Sequence, residues 1–203
     1  MNASRKRPYR KGRRAETEED TRRRITEAAV ALHGSIGPAN TKLTDVAELA
    51  GVSRMTVYNH FPTETDLFVA CSTHWASQNP FPDPSSWTDM GDAGNRLRVA
   101  LRELYEWYDQ KQGMLGPVLR DARVIPALAE VMVGQWDDYL VRVVDALASG
   151  WTGPTRRSKN LRASLRLAAD FHTWRILTDA GLSSNRASVL AAKMVTCGAA
   201  RGA

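Results

Sequence analysis

Apolar residues recur along this chain at the three-to-four-residue spacing of helices, and no stretch alternates as a strand does. The sharpest pattern lies in residues 43–68. Leu43, Val46, Ala47 and Ala50 share one helical face, with Thr44 and Asp45 placed to cap and charge its first turn. Gly51 ends that helix, because glycine takes the left-handed conformation without steric cost. Val52 plugs the corner and Ser53 caps a helix from Arg54 to about His60, with Val57 and Phe61 pointing inward. Upstream, Ile25, Ala28, Ala29 and Leu32 form the stripe of a first helix that is expected to start near Thr17, with Asp20 as capping-box partner, and to end at Gly34 and Gly37-Pro38. Downstream, Thr63 and Asp66 make a second capping pair for a helix through Leu67, Phe68 and Ala70 to about Ser77.

Three alternating prolines, Pro80, Pro82 and Pro84, prohibit helix in the next loop. Beyond it the pattern predicts helices over 90–111, 114–123, 125–149, 156–180 and 183–200, with breaks at Gly113, Gly116-Pro117, Pro126, the turn 150–154 and Gly181. The fold class is therefore all-α: an N-terminal three-helix helix-turn-helix domain, residues 1–70, and a C-terminal helical bundle, residues 71–203.

Chemistry singles out the helix from Arg54. Its outward residues, Arg54, Met55, Thr56, Tyr58, Asn59 and His60, include no acid, and most can donate to phosphate oxygens or base edges. So short a helix is not stable alone in water and must be held by its neighbours, as a helix-turn-helix reader is. Charge points the same way. The net charge is +6, yet residues 1–14 hold seven basic residues and no acid, which leaves 21 basic against 22 acidic residues in the remainder. Arg5, Lys6, Arg7, Arg10, Lys11, Arg13 and Arg14 read as a disordered arm suited to phosphates or the minor groove, with a solubilising tail as the alternative. Arg22, Arg23 and Arg24, flanked by acids, read as a solvated salt-bridged face.

The segment VAELAGVSRMTVYNHF, Val46 to Phe61, resembles the helix-turn-helix of the TetR-like bacterial repressors, and the similarity covers residues 20–70. Met55 stands where many members have Gly, and Glu64 where they usually have Lys. The resemblance implies that Arg54, Met55 and Asn59 face base edges while Thr44, Thr56, Tyr58 and His60 hold phosphates, with Lys42 and Ser53 completing the DNA-binding set. It also implies a homodimer paired through the last two long helices, and a small effector that tilts the linker helix and moves the two readers out of register on a double-stranded operator.

The second domain is rich in aromatic and soft side chains. Trp107, Met114, Trp136, Phe171 and Trp174 are the candidates for the wall of an effector pocket, with His172 or Asp170 as polar anchor, and such a lining favours an apolar ligand. No nucleophile elbow, phosphate-cradling loop or metal spacing appears, so catalytic residues, metal and cofactor are all expected to be none. Two cysteines, no apolar N-terminal run and no span-length apolar stretch suit a cytoplasmic protein without membrane contact. The expected function is a ligand-responsive DNA-binding regulator. Its rivals are a structural or division-control DNA binder that shares the fold without an inducer, and an enzyme.

Overall fold

A computed structural model describes residues 7–156 and 158–200, and every element among them is helical. The helices are α1 (Arg7–Ser35), α2 (Leu43–Ala50), α3 (Arg54–His60), α4 (Glu64–Gln78), α5 (Ala93–Asp121), α6 (Pro126–Met132), α7 (Asp138–Ala148), α8 (Gly153–Arg156), α9 (Lys159–Ala169), α10 (Phe171–Asp179) and α11 (Ser184–Ala200). One π-helical turn, Val133–Asp137, joins α6 to α7. The chain divides into two compact units, one made of the described residues up to Asn79 with Gly113–Val131, the other of Pro80–Gln112 with the described residues from Met132 onward. The division differs from a simple cut near residue 70 because α5 runs without interruption from Ala93 to Asp121.

In the first unit α1–α4 close on a core of Ile25, Ala28, Ala29, Val46, Ala47, Ala50, Val57, Phe61, Leu67 and Cys71. The helix ends are set by local chemistry. Thr63 and Asp66 form the full capping box: Asp66 N–H donates to Thr63 Oγ1 at 3.1 Å and Thr63 N–H donates to Asp66 Oδ2 at 3.1 Å. Thr63→Ala should cost about 1 kcal/mol of stability; an unchanged urea midpoint would show that α4 does not need the cap.

Three expectations about this unit change. Helix α1 begins at Arg7, ten residues before Thr17. Residues 7–16 are mostly Arg, Lys, Ala and Glu, which lose little rotamer freedom in a helix, and Pro8 fits a first turn. Arg7, Arg10, Lys11, Arg13 and Arg14 thus lie on a helix rather than an unstructured arm, whereas Arg5 and Lys6 lie outside the described residues. Thr44 caps nothing: Lys42 is the N-cap of α2 without a side-chain bond, and Thr44 Oγ1 donates to Asp45 Oδ1 at 3.2 Å. Of the three consecutive arginines, Arg23 pairs at the surface with Asp20 and Glu27, and Arg24 with Asp20 at 3.4 Å, but Arg22 and Arg24 also reach neighbouring helices. Arg22 Nη1 donates to the His60 carbonyl at 2.7 Å and Arg24 Nη1 to the Ala50 carbonyl at 3.0 Å. Each places a cation on the carbonyls that end α3 and α2, where the helix dipole is negative.

The second unit is built on aromatic packing. Leu97, Leu101, Leu104, Leu140, Leu147 and Leu165 are fully buried. Around them Phe81 stacks on Tyr139 at 4.6 Å, Tyr108 meets Phe171 edge-on at 5.4 Å, and Phe171 lies 5.2 Å from Trp174. The proline loop is pinned by this cluster, since Trp107 Nε1 donates to the Pro80 carbonyl at 2.9 Å and the Tyr139 hydroxyl to the Pro82 carbonyl at 3.0 Å.

Two breaks differ from expectation. Gly113 and Gly116-Pro117 do not interrupt α5. Pro117 forfeits one backbone bond, and the glycines at 113 and 116 have nothing within 4 Å of a would-be Cβ, so the backbone can yield there. Conversely the single helix expected over 156–180 breaks at Asp170, whose ψ of 137° is extended. The carbonyls of Ala168 and Ala169, orphaned at the end of α9, accept the hydroxyls of Tyr105 at 2.8 Å and Tyr108 at 2.6 Å. Asp170 then caps α10 by accepting the His172 backbone N–H at 2.8 Å. Burial drives both tyrosine hydroxyls well above their ordinary pKa, so they remain donors. No helix among the described residues is long and apolar enough to cross a membrane.

Candidate nucleic-acid interface

The turn between α2 and α3 is built as the residue types require. Gly51 sits at φ 66°, ψ 37°, and its N–H returns to the Glu48 carbonyl at 3.0 Å, while Val52 N–H reaches the Ala47 carbonyl at 3.0 Å. Ser53 Oγ accepts the Thr56 backbone N–H at 3.1 Å and so starts α3. Val57, fully buried, and Phe61, 3% exposed, fasten α3 to the core. Fixing the inner face leaves the other residues in solvent. Arg54, Met55, Tyr58 and Asn59 are exposed, Met55 by 66%, and Thr56 and His60 are half-buried. A methionine so exposed on a seven-residue helix has no packing role in this chain.

The charge on this face is positive and partly pre-arranged. Arg54 Nη2 donates to the Tyr58 hydroxyl at 2.9 Å, and its guanidinium carbon lies 5.4 Å from the Tyr58 ring centre. That rest position holds the guanidinium one turn along α3. Lys42, Thr44 and Ser53 are exposed at the starts of α2 and α3, so the candidate set from Lys42 to His60 occupies the outer faces of two successive helix starts. Glu64 is exposed at the first position of α4. Arg22 and Arg24, missed as contributors, hold α3 and α2 from behind; the signal that could have found them is an arginine on α1 spaced to meet a neighbouring helix end.

The candidate pocket residues part company. Trp107, Trp136, Phe171 and Trp174 come together in the aromatic cluster of the second unit, joined by Phe81, Tyr108 and Tyr139. Met114 does not join them. It belongs to the first unit, where a Cβ on Gly34 would meet its Cε at 3.2 Å, because α5 continues for two turns past Trp107. His172 is exposed, its Nδ1 3.1 Å from Asp170 Oδ1. Among the described residues no group of three or more His, Cys, Asp or Glu side chains is placed to hold a metal.

A short helix anchored by two buried residues, preceded by a glycine-stopped helix and capped by serine, defines a helix-turn-helix nucleic-acid-binding module. The comparisons with known proteins agree. Residues 25–71, from the middle of α1 into α4, match the family described as bacterial regulatory proteins, tetR family. A stretch of 58 residues is 43% identical to the HTH-type transcriptional regulator TtgR of Pseudomonas putida, covering 29% of this chain and 28% of that protein. The fold extends further. The crystal structure of NalD, titled the secondary repressor of the MexAB-OprM multidrug efflux pump in Pseudomonas aeruginosa, superposes with a TM-score of 0.60 at 20% identity, over 90% of this chain and 97% of that one. A TetR transcription regulator from Haloarcula marismortui ATCC 43049 gives a TM-score of 0.56 at 18% identity, over 90% of this chain and 98% of that one.

Proposed function

We propose that the protein is a ligand-responsive transcriptional regulator, a homodimeric repressor that binds a palindromic operator and is released by a small apolar ligand. The exposed, acid-free face of α3, held by a core that uses Val57 and Phe61 for anchoring alone, carries the reading. Arg54, Met55 and Asn59 read base edges, and Lys42, Thr44, Ser53, Thr56, Tyr58 and His60 secure phosphates. The basic residues at the start of α1 add sequence-independent charge. The second unit, residues 80–112 with 132–200, takes the effector and the second copy of the chain. In its favour, Trp136 sits inside the π-helical turn Val133–Asp137, an irregularity common at functional sites, and it faces Trp107 and Tyr108. The names of TtgR as a transcriptional regulator and NalD as an efflux-pump repressor support the same reading.

The test is a selected-site binding profile. Arg54→Ala should cost roughly 1–3 kcal/mol and relax preference at one base pair, because a bidentate guanidinium contact is lost. Tyr58→Phe, which removes a phosphate donor, should weaken all sequences alike. An unchanged profile for Arg54→Ala would remove Arg54 from base readout.

A further inference from the structure

The first unit contains a cavity of about 510 Å³ that none of the roles assigned above uses. Its walls come from the end of α1 (His33), the turn after it (Pro38, Ala39, Thr41), the reader helix (Tyr58, Phe61), the start of α4 (Glu64, Leu67, Phe68) and Ile125. The volume lies in the range of small-molecule pockets, and the lining is mostly apolar with a few polar groups, which is the usual composition of such sites.

Two of those polar side chains, His33 and Glu64, make no hydrogen bond or ion pair among the described residues. His33 is 5% exposed, lies against Phe68 with ring centres 5.5 Å apart, and makes no hydrogen bond to them. Its ring nitrogens are not sealed off, since no fully buried side-chain nitrogen or oxygen among the described residues lacks a partner, so they stay open to an occupant of the cavity. Asp121 adds negative potential near it, but that carboxylate is already engaged by the Ala39 N–H at 2.9 Å and by Arg120. Desolvation outweighs the attraction and lowers the His33 pKa to about 4, so at neutral pH the ring offers one N–H donor and one acceptor. Glu64 is exposed, forms no ion pair among the described residues, and is the only charged side chain at neutral pH among the described residues of the cavity wall.

We propose that this cavity is a binding site for a flat, largely apolar organic monocation, whose ring system lies among Phe61, Leu67 and Phe68, whose charge pairs with Glu64, and whose polar substituent bonds His33. The site is separate from the effector pocket assigned to the aromatic unit. Tyr58 and Phe61 belong both to the cavity wall and to the reader segment, so an occupant bears directly on the residues that position α3. That consequence for DNA rests on the proposed role of α3, whereas binding itself does not.

The probe is protonated 4-amino-2-methylquinoline, compared with 2-methylquinoline, its counterpart that is uncharged at neutral pH, each titrated into the full chain without DNA and followed by NMR. The cation should give intermolecular NOEs to the Phe61, Leu67 and Phe68 side chains. Glu64→Gln should weaken the cation about fivefold, as befits a partly exposed ion pair, and leave the neutral compound unchanged. His33→Leu should weaken both. Since His33→Leu could disturb the core, Glu64→Gln, at an exposed position, decides the role of charge. NOEs only to Trp136, Phe171 or Trp174, or equal loss of both compounds in Glu64→Gln, would overturn the site. Neither result would touch the assignment of Arg54 and Tyr58 to DNA, which the binding profile decides separately.

Discussion

Arg96→Met should destabilise the protein by about 3–5 kcal/mol, the largest effect expected of any single substitution in the second unit. Arg96 is 4% exposed and has no carboxylate partner among the described residues. Its guanidinium instead donates to the carbonyls of Thr88 at 2.6 Å, Met90 at 2.6 Å and Ala146 at 2.9 Å, and to Ser149 Oγ. Ala146 lies in the last turn of α7, so the cation also meets the negative end of that helix. One side chain therefore ties the loop before α5 to the end of α7, serving the Thr88 and Met90 carbonyls and sharing the Ala146 carbonyl with the Ser149 hydroxyl. Methionine keeps much of the volume but donates nothing, and each stranded carbonyl then costs about 1–3 kcal/mol before relaxation. Lysine keeps the charge but not the fork, so Arg96→Lys should recover only part of the loss. The exposed Arg98, bonded to Asn95 at 3.3 Å, is the control, and Arg98→Met should fall within about 0.5 kcal/mol of the parent. Urea unfolding followed by circular dichroism measures all three. An Arg96→Met variant as stable as Arg98→Met would mean that water replaces the guanidinium without loss.

Arg96 was illegible in the sequence, and the reason separates what could be read from what could not. The helix-turn-helix was legible because its signals are local: Gly51 stops α2, Ser53 caps α3, and Thr63 with Asp66 starts α4, each acting within four residues of itself. The same locality exposes the outer face of α3, so its outward residues could be named from spacing, while their roles toward DNA came from the resemblance to the TetR-like repressors. Arg22, Arg24 and Arg96 instead bond carbonyls 38, 26 and 50 residues away, and nothing beside them in sequence marks the partner. The helix breaks failed for the same reason. Gly116-Pro117 carries every local mark of a stop, yet α5 absorbs it; Asp170 looks like one more polar residue in a periodic stretch, yet the phenols of Tyr105 and Tyr108, more than sixty residues earlier, take the carbonyls that would have continued the helix. The aromatic residues of the pocket were recognisable by type, but their grouping depended on where α5 ended, and Met114 was misplaced with it.

Leu190→Asp should convert the proposed dimer to monomer and weaken operator binding by at least about a hundredfold, because the two readers would no longer be linked. The small residues of α11 turn inward: Ala187, Ala191 and Ala192 are buried within the protomer, together with Val195. What α11 leaves outside is a separate apolar edge of Val189, 41% exposed, Leu190, 39%, and Met194, 58%, while Ile176 on α10 is 69% exposed. Leu190 and Met194 are four residues apart and so stand one above the other on one face. Apolar side chains in such a run on the outside of a folded unit suit the contact surface of the proposed dimer. An isologous interface brings each residue near its symmetry mate, so one introduced aspartate enters the contact twice and meets either itself or an apolar surface it cannot hydrate. Because Leu190 is already partly in solvent, the protomer should keep its helix content, which circular dichroism checks. Val141→Asp, on an exposed position of α7 that is 52% accessible, introduces the same charge elsewhere and should leave the dimer intact. Sedimentation velocity at the concentrations used for operator binding decides the matter: a Leu190→Asp variant that still sediments as the parent does would move the dimer contact off this edge of α11.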